Sequence, residues 1–486
     1  MITSEAFAGK RYAVLGLARS GVATVEALLA SGASVVAWDS DAAKRDALLP
    51  LPGGERVGVR GSEAQPSVPA IGVGHPHPTL SLKGEGSSGL SFADPLTLDL
   101  TGFDGIVVSP GVPLNRHPIA AHARAAGVPV IGDIELFAQA RASLPPHKVV
   151  GITGTNGKST TTALIHHILE TAGMPTLMGG NIGLPILSQN PLPDGGVYVL
   201  ELSSYQIDLT FTLDCDVAVL TNITPDHLDR YEGFEAYAAS KARLFKMSSG
   251  IAVIAIEDEA TRHIASSFCH AGLDPASSFS LRLEGSWTPD QVRGDRLVEV
   301  RSTDINDQSG WPALQGPHNA QNAACTIAAC KALGLADDQI DEGLRTYPGL
   351  PHRMERVAER EGVLFVNDSK ATNATATAPA LAAYPLIHWI LGGLPKTDDL
   401  DDCAPHFDHV VAGYTIGEAG PMFADILRAA GKPVTESGTL DAAVRDAAAA
   451  AKPGEVVMLS PACASFDQFT DYEARGQAFR DAVAGL

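Results

Sequence analysis

Val149-Val-Gly-Ile-Thr-Gly-Thr-Asn-Gly-Lys-Ser-Thr160 is the stretch on which the fold turns. Val149 to Ile152 is a short apolar run of strand character, and a helical pattern follows through Glu170. Between them lies the polar turn Gly154, Thr155, Asn156, Gly157, Lys158, Ser159, Thr160. Backbone N–H groups of such a turn, with those of the helix start, point together and surround phosphate oxygens. Lys158 can then reach the β- and γ-phosphates, and Ser159 or Thr160 can ligate Mg²⁺. Ile152 stands where the strict G-x-x-x-x-G-K-[ST] pattern has its first glycine. The strand-loop-helix setting still predicts a phosphate-binding loop.

Upstream, Tyr12 to Leu15 reads as a strand, Val22 to Leu29 as a helix, and Ser34 to Trp38 as a strand ending at Asp39. The first turn, Gly16-Leu-Ala-Arg-Ser-Gly21, is a G-x-G-x-x-G fingerprint with Ala18 in its middle place. Glycines 16 and 21 suit a tight turn and close helix–strand packing, while Ala18 crowds the usual seat of a dinucleotide pyrophosphate. A dinucleotide, another nucleotide and a plain α/β turn all fit this segment. A later strand, Gly105 to Val108, runs into Ser109-Pro-Gly111.

Downstream of Gly349-Leu-Pro351, strands at Leu364 to Val366, Trp389 to Leu391 and Val456 to Leu459 alternate with helical stretches such as Leu440 to Ala451. Alternation throughout predicts an α/β chain with largely parallel sheets. We expect three domains: residues 1–145, Rossmann-like; 146–349, a central P-loop ATPase type; and 350–486, again Rossmann-like. The stretches Gln65 to Phe92 and Arg262 to Trp287 lack helical or strand period and read as loop insertions. Their histidines, in Gly74-His-Pro-His-Pro78 and near His270, read as solvated rather than metal-binding.

The 486 residues carry 35 basic and 56 acidic side chains, a formal charge of −21, which argues against nucleic acid as a partner. Hydrophobic residues are 45% and charged residues 19%, a globular balance. No signal peptide and no apolar run of membrane-spanning length is legible, and the six cysteines show no CxxC spacing. The expected setting is therefore the reducing cytoplasm, away from membranes.

Two more apolar strands deliver polar groups at their ends. Tyr198 to Glu201 continues into Leu202-Ser-Ser-Tyr-Gln206, and Val217 to Leu220 into Thr221-Asn-Ile-Thr-Pro-Asp-His227. A carboxylate and an imidazole beside a phosphate loop suit a divalent cation. Gly154-Thr-Asn-Gly-Lys-Ser159, Gly179-Gly-Asn-Ile-Gly183, Leu202-Ser-Ser-Tyr-Gln206 and Asp226-His-Leu-Asp-Arg230 together resemble the Mur ligase family. Pro351-His-Arg353, Asn367-Asp-Ser-Lys-Ala-Thr-Asn373 and Leu459-Ser-Pro-Ala-Cys-Ala-Ser-Phe-Asp-Gln468 resemble its D-glutamate-adding branch, as do Ser109-Pro-Gly111 and Gly132-Asp-Ile-Glu-Leu-Phe137.

This resemblance implies an ATP-dependent ligase, working as a monomer, that adds D-glutamate to UDP-N-acetylmuramoyl-L-alanine through an acyl phosphate. It implies ATP contacts at Gly154 to Thr160, Asn319, Asn322, Arg353 and Asp368. It implies contacts to the UDP substrate at Ala18, Arg19, Ser20, Asp39, Ser109 and Asn181, and to D-glutamate at Thr372, Lys396, Ser465, Phe466 and Tyr472. Two Mg²⁺ ions would be held by Ser159, Thr160, Glu201, His227 and Lys241 as its carbamate. Lys158, Lys241, His227 and Lys370 would carry the chemistry. Phe466 stands where the family more often has leucine, and Gly392-Gly-Leu-Pro-Lys396 replaces a more polar turn.

Two other readings compete. A folylpolyglutamate synthase, or a Mur ligase for another amino acid, shares the phosphate loop; the Rossmann-type start and the missing Asp-Asn-Pro-Arg tetrapeptide speak against it. A slow nucleotide-hydrolysing switch also shares the loop, but the two ligand-bearing strand ends and the Lys241 segment are surplus to its needs.

Overall fold

A computed structural model describes residues 1–48, 89–270, 279–280 and 296–486. They form two compact units, one of Met1–Leu144, Leu184–Pro191 and Leu209–Thr212, the other of the remaining chain.

In the first unit the strands among the described residues are β1 (Arg11–Leu15), β2 (Ser34–Trp38), β3 (Leu90–Phe92), β4 (Gly105–Val108) and β5 (Val130–Ile131). They lie in the order β3-β2-β1-β4-β5, all parallel. β1 and β4 are nearly continuous apolar runs and are buried along almost their whole length, as strands covered on both faces must be. The helix Arg19–Ala30 follows the first turn directly. It packs so close that a Cβ on Gly21 would sit 1.9 Å from the Gly16 carbonyl oxygen.

Two short segments from later in the chain join this unit. Glu135 is buried, and its carboxylate accepts from the N–H groups of Phe211 (2.7 Å) and Thr212 (2.9 Å) and from the Thr212 hydroxyl (2.8 Å). Gly132 N donates to Leu209 O at 2.9 Å, and Ile2 N to Leu187 O at 3.0 Å. Three donors of the Phe211–Thr212 segment on the Glu135 carboxylate, with Gly132 N on the Leu209 carbonyl, anchor a segment that sequence order alone assigns elsewhere.

The second unit holds two sheets among the described residues. The first contains β6 (His147–Thr153), β7 (Thr176–Gly180), β8 (Gly196–Glu201), β9 (Val217–Leu220), β10 (Ile251–Ala255), β11 (Phe279–Ser280) and β12 (Leu297–Val300), ordered β11-β12-β10-β9-β6-β8-β7 and parallel. Register is what builds the site. Ile152 pairs with Glu201 and Thr153 with Leu220, so the loops after β6, β8 and β9 leave from one row. The helices Lys158–Thr171 and Pro317–Leu333 cover one face and supply much of its apolar core, including Leu164, Ile168, Ala324 and Ala328.

The other sheet contains β13 (Glu355–Arg360), β14 (Val363–Asn367), β15 (Ile387–Gly392), β16 (Val410–Ile416), β17 (Val434–Gly438) and β18 (Val456–Leu459), ordered β13-β14-β18-β15-β16-β17. Only the β13–β14 pair is antiparallel. Leu459 of β18 pairs with Asn367 on one side and Ile390 on the other. The loops carrying Asp368 to Asn373, Gly393 to Lys396 and Ser460 to Gln468 therefore rise together.

The two stretches read as insertions need correction at their ends. Leu90–Phe92 is β3, too short for three residues to display a period. Arg262 to His270 continues the helix Glu259–His270, whose Ile264 and Ala265 are buried, and Phe279–Ser280 pairs with β12. Apart from Gly89, the rest of both stretches lies outside the described residues. Among the described residues no helix is long and apolar enough to cross a membrane.

Candidate active site

The phosphate loop needs its glycines. Gly154 has φ +147 and Gly157 φ +81, and an added Cβ would lie 2.0 Å from Thr221 Oγ1 and 2.1 Å from Asn322 Oδ1 respectively. The loop after β9 braces it from outside. Thr155 N donates to Asn222 O (2.8 Å), Asn156 N to Asn222 Oδ1 (2.8 Å), and the Thr221 hydroxyl to Asn156 O (2.6 Å). A loop held this firmly keeps its remaining N–H groups oriented for an anion without reorganisation.

Lys158 and Lys241 converge on one acceptor. Both Nζ groups donate to the Gly154 carbonyl, at 2.8 and 2.7 Å, and Lys158 also donates to Thr155 O at 2.7 Å. Burial lowers the pKa of each, and the charge of Lys158 lowers that of Lys241 further, to well below the ordinary lysine value. Lys241 is 1% exposed, and its Nζ lies 4.6 Å from the Tyr237 ring centroid. Desolvation penalises the charged form, so such an amine is readily neutral and nucleophilic.

Glu201 closes β8 and is also buried. Its Oε1 accepts from Asn181 Nδ2 at 2.8 Å, while its Oε2 is buried with no hydrogen-bond partner. A carboxylate oxygen left so beside a phosphate loop fits a hard cation. Among the described residues no group of three or more His, Cys, Asp or Glu is arranged to hold a metal, so a cation here would also need hydroxyl or modified-lysine ligands. His227 is exposed, in left-handed backbone (φ 53), 3.5 Å from Asp226 and packed beside Tyr205 at 5.2 Å between ring centroids.

A cleft in this unit is lined by Asn156, Gly157 and Thr160, by Asn319 and Asn322, and by Arg353, Asp368 and Ala376. The two asparagines are buried, and Asn322 Nδ2 donates to Asn319 Oδ1 at 3.1 Å. Arg353 Nη2 donates to Ser159 Oγ at 3.1 Å, which brings the segment after Gly349 onto the phosphate loop. Burial raises the Asp368 carboxyl to about 7, against the pull of Ser460, Met354 N–H and Arg353.

Around the loops of the last sheet, Lys370 Nζ donates to the Tyr472 hydroxyl (2.6 Å) and lies 4.0 Å from its ring centroid. Lys396 Nζ, exposed, donates to Thr372 Oγ1 at 3.0 Å. Leu394 and Ala464 exchange backbone hydrogen bonds of 2.9 and 3.0 Å, which sets the Lys396 loop beside buried Ser465. Phe466 is 68% exposed.

In the first unit, Ala18 and Arg19 begin the helix after β1, exposed, and Ser20 is half-buried. Asp39 accepts from Leu17 N at 2.8 Å and from Asp41 N at 2.9 Å, and Ser109 Oγ donates to Gly16 O at 2.9 Å. Burial works against the charged form of Asp39, but these N–H donors and Lys44 outweigh it and lower its pKa.

Sequence reading missed several participants. Tyr237 is one helical turn before Lys241, and its hydroxyl meets Thr155 Oγ1 at 3.1 Å; that spacing was the available signal. Asn222 and Ser460 follow strand ends, in segments whose sequence singles out His227 and Ser465 instead. Arg475 is buried behind the Ser465 loop and nothing in the local sequence marks it.

Parallel sheets, a glycine-bound phosphate loop and a buried carboxylate at the neighbouring strand end define a P-loop α/β protein. Residues 152–330 match the Mur ligase middle domain, and residues 352–463 the Mur ligase glutamate ligase domain. Proteins named UDP-N-acetylmuramoylalanine–D-glutamate ligase are similar along the whole chain: that of Novosphingobium aromaticivorans is 60% identical, with 97% of its own length covered, and that of Sphingopyxis alaskensis 57%, with 100% covered. Among solved structures, the UDP-N-acetylmuramate–alanine ligase of Thermotoga maritima shares the fold, with a TM-score of 0.52 at 15% identity over 98% of this chain and 99% of that one. The chain belongs to the Mur ligase family.

Proposed function

We propose that the protein is the ATP-dependent ligase that joins D-glutamate to UDP-N-acetylmuramoyl-L-alanine, acting in the cytoplasm on a peptidoglycan precursor. Full-length similarity, at 60% identity, to a relative bearing that name is the observation that carries the reading. The cleft chemistry agrees with it: a lysine-bearing phosphate loop, a cation-ready carboxylate oxygen and an arginine on the same loop serine.

In this reading the alanyl carboxylate attacks the γ-phosphorus of ATP, the bond to the leaving ADP oxygen breaks, and an acyl phosphate forms. Lys158 and Arg353 meet the phosphate oxygens, and the loop N–H groups hold them in line. Asp368 meets the ribose, and Asn319 and Asn322 the adenine side. The uncharged amine of D-glutamate then attacks the acyl carbon, phosphate departs with the C–O electron pair, and the amine proton is lost. Lys370 steadies the developing oxyanion, while Thr372, Lys396, Ser465, Tyr472 and the backbone at Phe466 hold the amino acid. Ala18, Arg19, Ser20, Asp39 and Ser109 receive the UDP portion, and Asn181 the reacting end.

Magnesium, two ions when bound, supplies charge neutralisation on the phosphates, with Ser159, Thr160, Glu201 and His227 as its ligands and supports. Lys241 joins them as a carbamate, formed when its neutral amine adds to carbon dioxide and loses a proton. The test is ADP release by purified protein. It should require ATP, UDP-N-acetylmuramoyl-L-alanine and D-glutamate together; release at the same rate without either acceptor would overturn the ligase reading.

A further inference from the structure

Arg475 is 1% exposed, yet no carboxylate pairs with it among the described residues; its guanidinium is held by backbone and hydroxyl oxygens instead. Its Nη2 donates to Ser369 O (2.9 Å) and Cys463 O (3.0 Å), its Nη1 to Ala464 O (3.2 Å), and its Nε to the Ser369 hydroxyl (3.0 Å). Ser369 immediately precedes Lys370 in the loop after β14. Cys463 and Ala464 immediately precede Ser465 in the loop after β18. One planar fork therefore spans two loops whose chain positions are about ninety residues apart.

Burying an unpaired cation is costly unless its donors are met, and a core that only needed packing would use an apolar residue here. Two features say what the charge is for. The tied loops carry Lys370 and Thr372 on one and buried Ser465 on the other, and the Thr372 hydroxyl accepts from Lys396 Nζ at 3.0 Å. The Ala464 carbonyl side of the clamp is also where the Lys396 loop docks, through the Leu394–Ala464 pair. A cation held among three loops that carry two lysines and two hydroxyls suits a ligand rich in carboxylate.

We propose that Arg475 is a positioning residue for the amino-acid substrate: its guanidinium sets the spacing between the Lys370–Thr372 and Ser465 loops and adds positive potential behind them, so that a dicarboxylic amino acid is received. This rests on the reading that these loops bind D-glutamate. Lysine in its place would keep the charge but lose the fork, since an ammonium has no fixed planar geometry with which to hold three carbonyls.

The test compares wild type, Arg475→Lys and Arg475→Ala in two assays. One is amide formation as a function of each substrate. The other is the half-reaction without amino acid, in which hydroxylamine captures the acyl phosphate as a hydroxamate and releases phosphate. Loss of two or three charge-assisted hydrogen bonds predicts a D-glutamate KM raised about tenfold or more in Arg475→Lys. The KM for ATP and for the UDP substrate and the hydroxamate rate should stay within about twofold. Added guanidine should lower the D-glutamate KM of Arg475→Ala. An unchanged D-glutamate KM in Arg475→Lys overturns the proposal, as does a uniform loss in both assays with a lowered melting temperature. If the wild type itself shows no D-glutamate dependence, it is the underlying reading of the loops that fails.

Discussion

Replacing Gly157 by alanine tests the phosphate loop at the point where local backbone and distant side chain meet. Gly157 has φ +81, and left-handed backbone costs a residue with a Cβ about 1 kcal/mol or slightly more. The new Cβ would stand 2.1 Å from Asn322 Oδ1, so the Asn322 amide must swing away. That amide bonds Asn319 Oδ1 at 3.1 Å and meets the Thr161 hydroxyl at 3.4 Å. Losing both, at about 1 kcal/mol each, brings the local cost to about 3 kcal/mol. If that cost falls on nucleotide binding, the ATP KM rises roughly a hundredfold, at 1.4 kcal/mol per factor of ten. Hydroxamate formation at varied ATP measures it, with melting temperature as a control for global damage. The loop is far in sequence from Lys396, so the D-glutamate KM should not move. An ATP KM within threefold of wild type, in a protein carrying the substitution, would refute the claim that this glycine holds the nucleotide loop against Asn322.

Other expected outcomes follow from single contacts. Lys241→Ala should abolish most ligation and regain some with added short carboxylates such as formate or acetate; near-normal activity without rescue contradicts the carbamate. Lys396→Ala should raise the D-glutamate KM roughly ten- to a hundredfold, because a charge-assisted hydrogen bond is worth about 1.5–3 kcal/mol, and should leave ATP use alone; steady-state kinetics decide it. Asp368→Asn should change how stability depends on pH. The buried carboxyl titrates near 7 rather than at the ordinary 3.8, so the folded protein binds the extra proton between those values and loses stability as pH rises through that window. The melting temperature of Asp368→Asn relative to wild type should therefore be higher at pH 8 than at pH 5; an equal difference at both would count against that titration.

Much of the fold could be read locally. The turn after β6 carries its chemistry within a dozen residues, and the strand ends at Glu201 and Leu220 are marked by apolar runs that stop at polar groups. Their convergence follows from parallel pairing, since Ile152 opposite Glu201 and Thr153 opposite Leu220 place three loop starts in one row. What stayed hidden depends on contacts between distant residues. Arg475 looks like any polar residue of an amphipathic helix until the Ser369 and Cys463 carbonyls are set around it. Glu135 reads as a helix acid, but its carboxylate holds the Phe211–Thr212 backbone and draws that segment into the first unit. β3 is three residues long, too few for a period of two to show.

His227 shows what sequence order leaves open. Sequence placed it with Glu201 as a metal ligand because both close strand-to-loop segments after a phosphate loop. The structure gives Glu201 a buried, unpartnered oxygen but leaves the His227 ring exposed between Tyr205 and Asp226. Position along the chain fixes which residues can approach a loop; it does not fix the direction in which an exposed imidazole on left-handed backbone points.

The central claim is the identity of the amine that is joined. Purified protein, ATP, Mg²⁺ and UDP-N-acetylmuramoyl-L-alanine should be given an equimolar mixture of D-glutamate, L-glutamate, L-lysine and diaminopimelate, and the nucleotide products separated by chirality-resolving chromatography with mass detection. The account predicts one dominant product, the D-glutamyl amide, with one ADP released for each amide formed. A dominant L-lysyl, diaminopimelyl or L-glutamyl product, or ADP release with no amide, would contradict it.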